Sequence, residues 1–398
     1  MNDTFMGYVR SNGDVGVRNH VVVLPTIGCA NELAWRISKQ VPDSVLLTHN
    51  HACIRLGEDA ERAKRTLVGI GRNPNVHSVL VVGLGCEPIQ AEQLAAWIAT
   101  TGKEVVAVSV ETNGSYDAVV EEGVARLTEM VSHAAGEKRV PCDVSKLTIG
   151  IKCGGSGTIS AVSSNPSVGY AADRLVDAGG TVLFTETAEL IGAQDVLAQR
   201  ACCEEVKVRL LGKVDALLAK VKQNGVDILG SEPTQGNILS GLTTIEEKSL
   251  GAISKSGTSV LRGVLDYAQP PSEPGLFFVD GTTQASQLFV GMFASGAQIQ
   301  IFSYGGGFPA RFRYLPSYPP GMKPLPVIKV LGSSDDVSEK EHFDIYAGDI
   351  VTGTESVESV GNRIYSLILD IASGTETYTD VHSEYHEMIQ LYADGLLM

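Results

Sequence analysis

Several familiar signatures of chemistry are missing from this chain. No GxGxxG opens a helical pattern, no lysine follows a glycine loop in the Walker spacing, no GxSxG elbow appears, and no CxxC or HExxH pair occurs. These absences remove the common dinucleotide, P-loop, α/β-hydrolase and zincin readings. Positive charge is short: 31 Lys+Arg stand against 46 Asp+Glu, a net charge of -15. A phosphate backbone would be repelled, so no nucleic-acid partner is expected. No apolar run approaches the ~20 residues that span a bilayer. The opening MNDTFMGYVRSNGD lacks the apolar core of a signal peptide, which predicts a cytoplasmic protein with no membrane association.

What is present is the composition of a folded α/β protein. Hydrophobic residues make up 43% of 398, with 43 glycines and 6% aromatics, and at roughly 100–200 residues per domain the length predicts two lobes. Seven cysteines without a leader point to thiols or metal ligands, not a disulfide framework. Cys202 and Cys203 fall inside a long helical pattern and are expected to pack there.

Short Val/Ile/Leu runs alternate with helical periods. His20–Thr26, Ser44–Thr48, Ser78–Gly83 and Glu104–Val110 read as strands, and Glu58–Ile70, Ile89–Thr101 and Tyr116–Ala135 as helices. Polar Gly136–Asp143, with Pro141, reads as a linker. The pattern restarts with strands at Leu147–Lys152, Thr181–Thr185, Leu276–Val279, Ile299–Phe302 and Val327–Val330, and helical periods at Thr244–Lys255, Val260–Ala268 and Gln284–Ala294. Ala188–Asn224 holds one or two helices that would cross the lobes. The expectation is an α/β fold of two lobes, 1–142 and 143–398, each with a mainly parallel sheet flanked by helices. Gly305–Pro326, rich in proline and aromatics, is expected to be a long loop with its own packing.

Glycine-rich turns follow several strands, at Gly83–Glu87, Lys152–Gly157 and Tyr304–Gly307. Ligands of open α/β sheets bind at such carboxyl ends. Strand-end loops deliver Cys29, His49, His51, Cys53, Cys86, Glu87, Cys153, Glu186 and Glu189. Thiolate, imidazole and carboxylate together suit Fe(II), Mn(II) or Zn(II), and four scattered thiols would also suit an iron–sulfur cluster. His382 and His386, four apart around Glu384, would share a helix face, either as a metal pair or as a solvated surface. Thr243-Thr244-Ile245-Glu246-Glu247-Lys248 reads as a capped helix start, leaving Lys248 open as a surface or a substrate lysine.

Longer motifs carry a resemblance. Gly7-Tyr8-Val9-Arg10 with Val15-Gly16-Val17-Arg18-Asn19, then Gly83-Leu84-Gly85-Cys86-Glu87, Lys152-Cys153-Gly154-Gly155-Ser156, Glu186-Thr187-Ala188-Glu189 and Gly241-Leu242-Thr243-Thr244-Ile245-Glu246-Glu247-Lys248-Ser249-Leu250-Gly251 resemble the altronate/galactarate dehydratase family over about residues 7–351. The resemblance implies a metal-dependent lyase that dehydrates a sugar acid to a 2-keto-3-deoxy acid, with Fe(II) or Mn(II) as the usual ion. Some relatives instead release sulfite from sulfolactate. It also implies a separately encoded small β-rich subunit, because the family motif begins here at Gly7, and an oligomeric assembly.

Two motifs depart from the family. Gly157 stands where an acidic residue is common, and Ser303-Tyr304-Gly305-Gly306-Gly307 replaces a Thr-Thr-Gly-Arg-Gly-like strand end. Arg311 and Arg313 in the following loop would restore a cationic fork for carboxylate or sulfonate. Elimination across C2–C3 needs a base for the C2 proton, an acid for the leaving hydroxide and a cation on the substrate carboxylate. The expected set is His49, His51, Glu87 and Lys248 for proton transfer, and Arg10, Arg18, Lys152, Arg311 and Arg313 for the anionic substrate. Cys29, Cys86, Cys153 and Glu186 are expected to hold the metal. Three readings stand: a hydro-lyase, a carbon–sulfur lyase, and a non-catalytic protein that keeps the fold.

Overall fold

The computed structural model describes residues 3–51, 55–225, 232–305, 322–333, 337–382 and 388–392. Strands β1 (Thr4–Val9) and β2 (Val15–Gly16) form a short antiparallel ribbon. Strands β3 (His20–Pro25), β4 (Ser44–Leu46), β5 (Val76–Gly83) and β6 (Val105–Ser109) form a four-stranded parallel sheet in the order β4-β3-β5-β6. Strand β7 (Val140–Asp143) returns to β1, pairing Thr4 with Asp143 and Gly7 with Val140. The stretch expected as a linker is therefore partly a strand, because its backbone groups find partners on β1.

The second sheet has seven strands, all parallel. These are β8 (Thr148–Gly154), β9 (Thr181–Thr185), β10 (Leu261–Leu265), β11 (Gly275–Val279), β12 (Ile299–Tyr304), β13 (Val327–Leu331) and β14 (Ile345–Tyr346), in the order β10-β11-β9-β8-β12-β13-β14. Strand β10 corrects the helical reading of Val260–Ala268. A bulge between Leu261 and Gly263 shifts its register, so Leu261 and Val264 face the same core at a spacing of three that imitates a helix. Cys202 and Cys203 are exposed just before the Glu204–Gln223 helix, not packed within it.

Alternation along the strands builds five layers. In β3, Val21 and Val23 face the Asn31–Ser38 and Tyr116–Gly136 helices, while Val22 and Leu24 face the other way. In β9, Leu183 joins that same inner core, while Val182 and Phe184 face the outer Ser164–Asp177 and Val357–Ala372 helices. Strands buried on both faces explain near-continuous runs such as His20-Val21-Val22-Val23-Leu24. The inner core is shared by both sheets and by the Glu58–Arg72, Ala91–Ala99 and Ala285–Ala294 helices. The lobes are thus bonded through a common helix layer.

Gly69 sits at the crossing of the Glu58–Arg72 and Ala285–Ala294 helices, where a Cβ would lie 2.3 Å from Ala294 O. Beside it Asn73 Nδ2 donates to Phe293 O and Ala297 O (2.7 and 2.9 Å), and Asn75 Nδ2 to Gln298 O and Pro324 O, both at 2.8 Å. Among the described residues, no helix is long and apolar enough to cross a membrane.

Candidate active site

Each sheet has one place where the chain reverses its direction of strand addition, and ligands collect at the carboxyl ends there. In the smaller sheet it lies between β3 and β5, whose loops carry Cys29, Cys86 and Glu87. In the larger it lies between β8 and β12. Of the expected site residues, Cys29, Cys86 and Glu87 lie at the first, and Lys152, Cys153 and Glu186 lie at the ends of β8 and β9 beside the second.

At the first, Glu87 is buried and its carboxylate accepts from Thr26 Oγ1 (2.7 Å), Leu84 N (2.9 Å) and Gly85 N (2.7 Å). Burial alone would raise its pKa; these hydrogen bonds outweigh it and hold the group below the ordinary value. Glu87 therefore clasps its own glycine turn. His49 Nε2–H donates to Pro25 O (2.7 Å) and Nδ1 accepts from His51 N (3.2 Å), which fixes one neutral tautomer. Burial pushes both His49 and His51 down to about 4. His51 Nδ1 is buried without a partner among the described residues. Cys29 and Cys86 are exposed, and Cys53 lies outside the described residues.

The cationic expectations resolve similarly. Arg10 is buried and donates to Pro74 O, Asn19 Oδ1, Glu137 Oε2 and Arg18 O at 2.7–3.0 Å. Arg18 donates to Val17 O, Ile371 O, Thr375 O and Asp380 Oδ2 at 2.9–3.0 Å. Both fasten the amino-terminal ribbon to its neighbours. His382 lies against Tyr378, its ring tilted by 36° with centroids 4.2 Å apart. Arg311, Arg313 and His386 lie outside the described residues.

In the larger sheet, the carboxyl ends of β8 and its neighbour β9 hold a dense buried cluster. Cys153 is the penultimate residue of β8, and its Sγ lies 2.7 Å from Glu189 Oε2 and 3.3 Å from Glu186 Oε2. Glu186 follows β9 with φ +88°, a left-handed conformation that costs a non-glycine residue energy and is typical of functional positions. It starts the 3₁₀ turn Thr187–Leu190, in which positions three apart eclipse, so Glu186 and Glu189 present their carboxylates together. The turn after β8 lies flat on β12. Gly155 has φ +56°, and a Cβ there would sit 2.3 Å from the Tyr304 ring.

Three lysines surround these acids. Lys255 Nζ donates to Cys153 Sγ (3.0 Å), Glu186 Oε2 (2.7 Å) and Glu189 Oε2 (2.8 Å). Lys152 pairs with Glu186 Oε1 at 3.1 Å. Lys248 bonds Glu232 and lies 3.8 Å from Glu189 Oε1. Burial would lower all three lysines, but the facing acids outweigh it and hold them above their ordinary value. Burial, reinforced by Glu186 and Glu189, holds the Cys153 thiol well up. Glu189 is buried too, yet the lysines hold it well below the carboxylate range. Burial raises Glu232 against the pull of Lys248. Three carboxyl groups thus face three ammonium groups around one thiol.

Sequence reasoning brought Lys152, Cys153, Glu186 and Lys248 into the candidate set and noted Glu189 among the strand-end groups, but it missed Lys255 and Glu232. A signal for Lys255 was present, since it follows Lys248 by seven residues, two helical turns on one face. Glu232 had none.

The donor set suits a divalent ion by type. Among the described residues, Cys153, Glu186 and Glu189 are the group whose ligand atoms all lie within 4.8 Å of one another, and one thiolate with two carboxylates is a first-row donor set. Cys29 and Cys86 take no part in it. The expected four-residue metal set is therefore not assembled, because its two halves sit on different sheets. Lys255 is hydrogen-bonded to all three donors of the group.

Two family models match the chain. The model described as D-galactarate dehydratase/altronate hydrolase, second domain, matches residues 7–135, and D-galactarate/altronate dehydratase, C-terminal, matches 144–395. The chain is 35% identical to the (2R)-sulfolactate sulfo-lyase subunit beta of Chromohalobacter salexigens, over 96% of each chain. It is 32% identical to altronate dehydratase of Bacillus subtilis over 94% of this chain and 74% of the relative. It is also 32% identical to galactarate dehydratase (L-threo-forming) of Escherichia coli, over 95% and 74%.

Proposed function

Because the chain belongs to the D-galactarate/altronate dehydratase family, we propose that it is a lyase that eliminates water from a sugar acid or small 2-hydroxy acid to give a 2-keto-3-deoxy acid. The observation that carries this reading is the buried cluster of Cys153, Glu186, Glu189 and three lysines at the carboxyl ends of β8 and β9. A divalent ion, Fe(II) first and Mn(II) or Zn(II) next, would be held by Cys153, Glu186 and Glu189 and would act there as a Lewis acid on the substrate carboxylate.

The chain's own groups supply the rest. Lys248 sits at the edge of the cluster, and it meets the substrate carboxylate by exchanging its bond to Glu232 for one to substrate. Glu232, the most exposed acid of the cluster, with 17% of its side chain accessible, takes the C2 proton as its carboxylate is released by Lys248 and delivers it to the leaving C3 hydroxyl, which departs as water. Lys152 holds Glu186 in place through the 3.1 Å ion pair. Closely packed side chains around the cluster exclude bulk water, which strengthens each charge interaction within it. We assign His49 and Glu87 to loop architecture, since their polar atoms are already engaged.

A second reading rests on one specific observation. The relative named as a subunit beta is 35% identical over 96% of each chain, and this supports sulfite release from sulfolactate together with a partner subunit. One experiment separates the readings: anaerobic purification with the neighbouring small reading frame co-expressed, then assay of altronate, galactarate and sulfolactate with keto acid and sulfite measured separately. Keto acid without sulfite is the expected result. Sulfite from sulfolactate moves the assignment to the second reading, and no product from any substrate refutes both.

A further inference from the structure

We propose that Lys255 is the resident cation of the Cys153, Glu186 and Glu189 cradle, and that a divalent ion enters only by displacing its ammonium group. This rests on the cradle being the metal site of the reading above.

Position carries the argument first. An ammonium has three N–H bonds, and the cradle offers one acceptor for each, at 3.0, 2.7 and 2.8 Å. An ion bound to the same sulfur and oxygens at ~2.0–2.3 Å would stand where Nζ now stands. Two cations cannot share that point.

Charge carries it further. With Cys153 as a thiol, the three lysines and three carboxyl groups balance. A divalent ion brings two positive charges, and ligation as thiolate sends one proton from Cys153 to the buffer, so the cluster gains one net positive charge. Lys255, only 1% exposed, meanwhile loses its three partners inside the protein. An uncompensated buried charge is strongly unfavourable. Removing the lysine charge reverses the balance: the cradle is then short of one cation, and a thiolate-ligated divalent ion restores neutrality. Lys255 thereby keeps two carboxylates and a thiol together without metal, and it sets a threshold that an entering divalent ion must overcome.

The test is anaerobic titration of full-length protein with Co(II), reading the thiolate-to-cobalt charge-transfer band and the Kd. Wild type is compared with Lys255→Met and with Lys255→Gln, whose neutral amide keeps donors toward the carboxylates should the Met variant fail to fold. Both variants are expected to bind Co(II) about 100-fold more tightly than wild type, and the band is expected to vanish when Cys153→Ser is added. Equal affinity in wild type and variants, absence of binding in all of them, or a band that survives Cys153→Ser overturns the inference. The lyase reading is decided separately, by keto-acid formation.

Discussion

Replacing Glu87 by Gln keeps the shape of the clasp and removes its charge. In the wild type three donors converge on the carboxylate: Thr26 Oγ1 and Leu84 N on one oxygen, Gly85 N on the other. Glutamine can offer its carbonyl oxygen to the first pair, and its NH₂ then faces the Gly85 N–H, donor against donor. Two retained bonds lose their charge assistance, about 0.5–1 kcal/mol each, and an unpaired buried N–H costs about 1–3 kcal/mol. The sum is about 3 kcal/mol. In hydrogen exchange that is roughly 100-fold faster exchange at the Leu84 and Gly85 amides.

The pH dependence has a definite sign. Glu87 is held below its ordinary value of 4.5, so its contribution is fully present above that value and is lost as pH falls through the lower folded pKa. The variant-to-wild-type ratio, taken at equal pH, should stay constant from pH 7 to about 5 and shrink in stronger acid. Exchange mass spectrometry of the peptide spanning residues 80–92 reads both effects. A ratio below about threefold, or one that is undiminished in acid, would refute the clasp argument.

Two further perturbations probe the rest of the molecule. Glu186→Gln leaves Lys152 and Lys255 facing a neutral amide and should destabilise the fold by about 3–5 kcal/mol; adding Lys152→Met should recover part of it in thermal unfolding, and a single variant as stable as wild type contradicts the ion-pair account. Arg10→Ala removes four internal hydrogen bonds and should lower thermal stability by about 2–3 kcal/mol without changing KM. A tenfold rise in KM at unchanged stability would instead return Arg10 to the substrate role that the sequence motif implies.

The sheets were legible because their strands alternate cleanly between two apolar faces. Val21 and Val23 against Val22 and Leu24 need no knowledge of the partner layer. Strand β10 was not legible, since a bulge gave Leu261 and Val264 a helical spacing. The strand-end rule found the loops of both reversal points but could not sort them, which is why Cys29 and Cys86 were grouped with Cys153 although they lie on another sheet. Glu186 was found because it directly follows a strand. Lys255 pairs with residues 66 to 102 positions away, and only packing of the Ile245–Ile253 helix and its following turn against the Thr187–Leu190 turn, the Ser164–Asp177 helix and β8 creates that neighbourhood.

The helix layer shared by the two sheets also determines how the molecule comes apart. Neither sheet has a complete inner covering of its own: Val22, Leu24, Val79 and Val81 are roofed by the same core that covers Leu183, Phe277 and Phe302. Pulling the lobes apart would expose both surfaces at once. The chain should therefore melt as one cooperative unit, with a single calorimetric transition. A backbone nick near Lys138, between the family's two matched regions, should leave fragments that stay associated until that transition is reached.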